Sequence, residues 1–264
     1  MKLLNRYTIS SILFIGLLAC KKVINVNLNS AAPTLVVQGD ITTDNEPYNV
    51  KLTQSVNYSA DNIYPSVTGA TVKITDDSTG TVDVLTEMAS GIYQTNNTQG
   101  VPLHTYHLYI KTNGQEYTAT SIMPKQVKLD SITFFTNAGF GRSITNPLAN
   151  FQDSAGIYNA YRFLETINSR PSKQIFVFSD RFSDGKYISR QLFNDSAYIQ
   201  KGDTIQLEMQ CVDKPSFEYF KVLSGQDANN GQPTSPANPT SNVSNGALGY
   251  FSAHTVQRMR KVYK

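Results

Sequence analysis

Apolar residues alternate with polar ones along most of this chain, and a two-residue period is typical of half-buried β-strands. Segments with this period begin at Leu35, Tyr48, Ala70 and Thr105. The dipeptide Asn113-Gly114, which lies between two such segments, is strongly associated with two-residue β-hairpin turns. The chain also contains 15 Tyr and 13 Phe, residue types that favour strands. We therefore predict an all-β fold.

The first half of the chain has the regular spacing of a small sandwich. About seven short segments of this kind, separated by turn residues, lie between Leu35 and Pro124. Such spacing is typical of an immunoglobulin-like β-sandwich, and we predict one over residues 34–125.

The second half is also rich in strand-forming residues, but its pattern is less regular. We predict a second β-rich domain over residues 126–264, with long loops at 136–156 and 225–246. One short helix is expected after Asp213, which can cap its first turn, and Pro215 suits that turn.

The first twenty residues have the pattern of a secretory signal that ends in a cysteine. Lys2 and Arg6 give a positive start, an apolar run follows, and a small residue precedes Cys20. The run of about ten residues is too short to span a membrane, which needs about 20. The pattern resembles the lipobox of bacterial lipoproteins, so we expect residues 1–19 to be removed and Cys20 to carry the lipid. An ordinary secretory signal with a chance cysteine is the alternative.

Residues 20–33 are then the lipid anchor and a linker. In Gram-negative bacteria, aspartate directly after the lipidated cysteine commonly retains lipoproteins in the inner membrane. Lys21 occupies that position, which favours the outer membrane. Whether the domain faces the periplasm or the cell surface stays open.

Charge and cysteine content exclude some function classes. The chain has 23 basic and 20 acidic residues, and removal of the two basic signal residues leaves a near-neutral protein. This balance argues against a nucleic-acid partner. If Cys20 carries lipid, Cys211 is the one remaining cysteine, so no internal disulfide can form. Apolar residues occupy the odd positions of 205–211, so we expect Cys211 to be buried rather than catalytic.

No motif for catalysis or cofactor binding stands out. The chain has no Gly-x-Ser-x-Gly elbow, no His-Glu-x-x-His and no Walker loop, so we predict no catalytic residue, no cofactor and no metal site. His104 and His107 fall on opposite faces of a predicted strand, and His254 is distant in sequence. Asp180 and Asp184 flank a glycine turn, where calcium is an alternative to a plain hairpin, but EF-hand spacing is absent.

Several segments together carry a resemblance to a known family. They are Cys20–Leu28, Leu35–Thr42, Tyr48–Leu52, Val67–Asp76, Gly91–Thr95, Tyr117–Pro124 and Asn245–Ala253. With these segments the mature chain resembles a family of Bacteroidetes lipoproteins, domain-of-unknown-function family 4249. Members often occur beside TonB-dependent outer-membrane receptors, so the resemblance implies an accessory role in uptake.

We therefore expect a lipoprotein anchored to the outer membrane that acts as a binding or interaction module and is not an enzyme. Its expected partners are the membrane, through the lipid on Cys20, and a TonB-dependent receptor, met through the long loops. An envelope hydrolase and a purely structural envelope component are the alternatives. The sequence does not single out ligand-binding residues.

Overall fold

The computed structural model describes residues 32–45, 47–57, 61, 63–138, 143–194, 199–228 and 238–264. The described chain is mostly β-strand with one short helix, which confirms the predicted fold class. The signal segment and Cys20 lie outside the described residues. Among the helices of the described ranges, none is long and apolar enough to cross a membrane.

The described chain contains sixteen strands and one helix. They are β1 (Leu35–Thr42), β2 (Asn49–Gln54), β3 (Thr71–Asp76), β4 (Thr81–Val84), β5 (Thr86–Ala89), β6 (Ile92–Gln94), β7 (Thr105–Thr112), β8 (Gln115–Ile122), β9 (Leu129–Ala138), β10 (Ser143–Gln152), β11 (Ala160–Ile167), β12 (Arg170–Pro171), β13 (Phe176–Ser179), β14 (Tyr187–Gln191), β15 (Thr204–Cys211), α1 (Lys214–Ala228) and β16 (Leu248–Val262).

A nine-stranded sheet runs through both halves of the chain. Its order is β12-β11-β15-β16-β1-β2-β6-β5, and β13 also pairs with β11. Its centre is the parallel pair of β1 and β16, in which Val36 lies opposite Leu248 and Thr42 opposite His254. The first and last strands are thus joined directly, and Pro33–Lys264 forms one compact unit.

One half of the long sheet packs against the four-stranded sheet β4-β3-β7-β8. We call this pair of layers the first sandwich. Apolar residues of the alternating segments, among them Val50, Leu52, Leu108 and Ile110, are buried in one apolar core, as their alternation predicts. The predicted turn Asn113-Gly114 joins β7 to β8 with both residues at positive φ, 48° and 74°.

The other half of the long sheet packs against the three-stranded sheet β14-β10-β9, and we call these layers the second sandwich. Its core is rich in aromatic rings, with Phe151 lying 4.8 Å from Tyr161 between ring centroids. Cys211 is buried in this core as a free thiol, as predicted. Odd-numbered residues of β16, from Phe251 to Met259, contribute to both cores, so both small sheets cover the same face.

Helix α1 covers the opposite face of the long sheet. The rings of Tyr219 and Phe220 lie 5.1 and 4.9 Å from the ring of Tyr250. The backbone N–H of Ser216 donates to Asp213 Oδ1 at 3.0 Å, which is the capping bond expected of a helix N-terminus. The predicted helix and its cap are therefore confirmed.

The long loop predicted at 136–156 is wrong for residues 136–138, which end β9, and for residues 143–152, which form β10. Pro147 suggested a break, yet β10 pairs with β14 only from Leu148 onward, so the missing N–H removes no ladder bond there. The loop predicted at 225–246 begins later than expected, because α1 continues to Ala228. Residues 229–237 of that loop lie outside the described residues.

Candidate ligand-binding cavity

A break in the edge of the long sheet opens a cavity beside β11. Strands β12 and β13 pair with opposite ends of β11, so residues 172–175 between them form no ladder. One backbone bond spans the gap, from Ser172 N–H to the Glu165 carbonyl at 2.8 Å. The chain therefore leaves the sheet edge here and forms part of a cavity wall. Residues 175–178 are apolar on both faces, which favours a central strand, but β13 lies at the edge because it pairs only with β11.

The cavity has a volume of about 650 Å³ and is open to solvent. This size lies within the range of small-molecule sites in proteins, about 300–1,000 Å³. Its charged lining residues are Arg170, Lys173 and Asp203, and its apolar ones are Ile167 and Pro171. The other described lining side chains are amides and one hydroxyl, so the wall is mainly polar.

A buried polar network lies directly behind this wall. The Asn194 side chain lines the cavity and donates to Glu165 Oε2 at 2.6 Å and to Ser172 Oγ at 3.1 Å. Its backbone N–H donates to Asn146 Oδ1 at 3.1 Å. Glu165 and Asn146 are each only 1% exposed. Asn194 therefore connects the cavity to two buried polar side chains.

Each of those two side chains keeps one atom without a hydrogen-bond partner. Within the described part of the chain, neither Glu165 Oε1 nor Asn146 Nδ2 is satisfied. Burial raises the pKa of Glu165, and the hydrogen bond from Asn194 offsets only part of that rise. Buried polar atoms in native proteins are nearly always bonded, so an unsatisfied acceptor and donor on either side of Asn194 indicate a place for a water or ligand.

The two cations that line the cavity differ from its carboxylate in their bonding partners. Arg170 and Lys173 are exposed, and neither forms an ion pair with any described residue. Asp203 accepts from Gln200 N–H and from Asn168 Nδ2, both at 2.7 Å. These bonds hold the pKa of Asp203 below its usual value. The Asp203 carboxylate is therefore held by these two hydrogen bonds, whereas Arg170 and Lys173, which have no ion-pair partner among the described residues, can contact a ligand.

A smaller groove of about 210 Å³ adjoins the cavity and shares Gln174 with it. It is lined mainly by apolar side chains, including Phe178 and Phe193. The Arg190 guanidinium lies 4.8 Å from the centre of the Phe178 ring, and Phe193 is about half exposed. The polar cavity thus has an apolar neighbour on the same edge.

Comparison with protein-family models shows to which family the chain belongs. The family model described as "Domain of unknown function (DUF4249)" matches residues 21–260, nearly the whole chain. The chain belongs to the DUF4249 family. The comparison with curated proteins found no match. Membership of this domain-of-unknown-function family, predicted from the sequence, is confirmed.

The histidines of this DUF4249 chain do not gather into one site in the described structure. His104 Nδ1 lies 2.8 Å from Asp76 Oδ2, and His107 Nε2 lies 2.9 Å from Asp77 Oδ2. The two rings therefore contact different carboxylates. His104 lies before β7, so the two histidines do not share one strand as predicted.

His254 lies near a serine and a carboxylate, but not in the arrangement of a catalytic triad. Ser252 Oγ lies 3.2 Å and Asp40 Oδ1 3.9 Å from the same ring atom, His254 Nδ1. A triad base needs one nitrogen for the serine and the other for the acid. Burial and the nearby Arg162 charge lower the pKa of His254 to about 3, so the ring is neutral at neutral pH. We therefore interpret the contacts of His254 with Ser252 and Asp40 as structural.

Asp180 and Asp184 come together with a third carboxylate, Asp153, which sequence reasoning did not include. One oxygen from each lies within 4.8 Å of the others. Gly185 N–H donates to Asp153 at 2.9 Å, and Asn159 N–H donates to Asp180 at 2.8 Å. These bonds fasten two neighbouring loops together, and the prediction of no metal here stays a prediction.

Sequence reasoning missed the residues of the cavity. A signal was present for Glu165, because it lies in phase with Tyr161 and Phe163, two aromatic core residues of β11. A carboxylate at a core position of a strand is uncommon and marks a site worth attention. No local pattern marks Asn194, whose role depends on how the chain returns from β14 towards β11.

Proposed function

We propose that this chain is a binding lipoprotein of the bacterial outer membrane that works beside a TonB-dependent receptor in nutrient uptake. The observation that carries the proposal is the open polar cavity at β11, which is large enough for a small ligand. Its described lining is mainly amides with two cations, which are groups that can orient a polar ligand, and this composition favours a binding role.

In this proposal, the lipid on Cys20 holds the binding domain at the membrane. A thioether-linked diacyl group together with an amide-linked chain gives stable anchoring, since each buried methylene contributes about 0.8 kcal/mol. Residues 20–33 then form the tether between the lipid and β1. A Cys20→Ser chain is expected to leave the membrane fraction, and mass spectrometry of the native chain is expected to show an acylated amino terminus.

Copurification tests the partnership with a receptor. The chain, tagged after the exposed Lys264, is purified from detergent-solubilised outer membranes of its own bacterium. We expect a β-barrel receptor to be retained with the native chain and lost with the Cys20→Ser control.

Two results would contradict the proposal. A chain that purifies alone, and whose deletion only weakens the envelope, has a structural role. A chain that hydrolyses a member of an ester, glycoside or peptide panel, with activity lost on one substitution, is an enzyme.

A further inference from the structure

We propose that the cavity beside β11 binds a small hydroxylated anion, such as a sugar acid or a sugar phosphate. In this assignment Arg170 and Lys173 hold the anionic group, and the Asn194–Glu165 network receives hydroxyl groups. The inference rests on the proposed function only in taking the chain to be a binding module.

Charge selects an anion. Arg170 and Lys173 lie three residues apart at the point where the chain leaves the sheet edge, and both line the cavity. Neither has an ionic partner among the described residues, and Asp203 is already engaged by two hydrogen bonds. A guanidinium presents a planar fork that fits a carboxylate or phosphate, and an ammonium adds a mobile point charge.

The unsatisfied atoms behind the wall select hydroxyl groups. Glu165 Oε1 needs a donor and Asn146 Nδ2 needs an acceptor, and both side chains bond to Asn194 at the wall. Neither residue itself lines the cavity, so we expect water behind the wall, hydrogen-bonded in turn to a ligand hydroxyl, to satisfy these atoms. An apolar ligand would leave both atoms unpaired, which a polar site of this kind disfavours.

The size of the cavity favours an anion larger than inorganic phosphate. A cavity of about 650 Å³ exceeds what an inorganic phosphate fills, and it is comparable to sites for small organic ligands. Contacts with the polar wall at several points therefore require an anion that carries a hydroxylated body.

Calorimetric titration of the full chain in detergent micelles at low salt tests the ligand class. The probes are glucose-6-phosphate, galacturonate, glucose and inorganic phosphate. We expect at least one hydroxylated anion to bind, with glucose and inorganic phosphate at least tenfold weaker, and binding to weaken as salt screens the cations. The tighter of the two hydroxylated anions identifies the phosphate or the carboxylate as the favoured group.

Substitution of the cations tests the location. Arg170→Gln combined with Lys173→Gln is expected to weaken binding at least tenfold. A matched control, Lys51→Gln combined with Lys125→Gln, removes the same charge from exposed positions outside the cavity and should bind as the native chain does. Equal loss in both variants, or no loss in the first, overturns the assignment.

The inference and the proposed function can fail separately. If neither hydroxylated anion binds better than glucose while a receptor still copurifies, the ligand class is wrong and the binding lipoprotein stands. If the anions bind as expected but no receptor is retained, the ligand class stands and the partnership is wrong.

Discussion

Asp83 of the first sandwich and Glu165 of the second are both almost completely buried, as are Asp153 and Asp180, yet Asp83 and Glu165 have very different surroundings. Asp83 in the first sandwich is 5% exposed and accepts five hydrogen bonds from the backbone and side chains of residues 96–98. Glu165 in the second sandwich is 1% exposed, accepts a hydrogen bond from Asn194, and keeps Oε1 unpaired among the described residues. Both carboxylates are shielded from solvent, but Glu165 lies deeper in the protein and accepts fewer hydrogen bonds.

Their pKa values follow this difference. Burial alone would raise the pKa of Asp83, but the bonds from Asn97, Asn96 and Thr98 outweigh it, so the pKa lies below its usual value. Burial raises the pKa of Glu165, and the Asn194 bond is not enough to reverse it. A fully bonded carboxylate organises the fold, whereas a partly bonded one beside a cavity remains available to a ligand.

Removal of the well-bonded carboxylate should have the largest effect on stability. Asp83→Ala leaves three backbone N–H groups without their acceptor, so we expect a loss of about 3 kcal/mol in the free energy of unfolding. Urea unfolding measures it. As a control, Asp77→Ala removes only an exposed contact with His107 and should change stability by less than about 1 kcal/mol. Similar losses for the two variants would show that the Asp83 bonds contribute little.

The pH dependence of an Asp83→Asn chain should show which form of Asp83 stabilises the fold. Because its folded pKa is lowered, ionised Asp83 contributes stability above the unfolded pKa, and that contribution is lost as the pH falls. We expect the variant to be about 1–2 kcal/mol less stable than the native chain near neutral pH. The gap should narrow in urea titrations below about pH 4. A constant gap at all pH values would contradict this.

Glu165→Gln should behave in the opposite sense. The raised folded pKa means that Glu165 contributes stability below its unfolded pKa and loses it as the pH rises through the folded pKa. Without ligand, we expect the variant to be more stable than the native chain by about 1 kcal/mol near neutral pH. The two chains should converge near pH 4. A less stable variant at neutral pH would remove the contrast with Asp83.

The sequence predicts the burial of Glu165 but not that of Asp83. Alternation over Val82-Asp83-Val84 places the valines inward, yet both are more than half exposed and Asp83 is buried. The reason is that β4 is an edge strand and the donors to Asp83 come from a loop 13 to 15 residues away, which a local pattern cannot contain. Glu165 follows the alternation of Tyr161 and Phe163, so its burial was predictable, but its unsatisfied oxygen was not.

Some features of the fold likewise depend on neighbours in sequence, and others depend on residues that are distant in sequence. Neighbours in sequence determine the hairpin at Asn113-Gly114 and the helix cap at Asp213, and both were predicted. The inward faces of β2 and β7 also follow from alternation, but that of β4 does not. The parallel pairing of β1 with β16 joins strands about two hundred residues apart, and periodicity carries no information about pairing partners. The predicted boundary at 125/126 lies between the two cores, yet Phe251 and Ala253 of β16 pack into the first.

The smallest expected effect concerns the cavity cations in the absence of ligand. Arg170→Gln combined with Lys173→Gln should change the free energy of unfolding by no more than about 0.5 kcal/mol, because both side chains are exposed and unpaired among the described residues. With a saturating hydroxylated anion, the native chain should gain stability by mass action, and the variant should gain much less. Thermal unfolding with and without glucose-6-phosphate or galacturonate measures both quantities. A large loss of stability without ligand would instead show that the two cations stabilise the fold, as Asp83 does. The contrast between a carboxylate that stabilises the fold and cavity residues that bind a ligand would then be wrong.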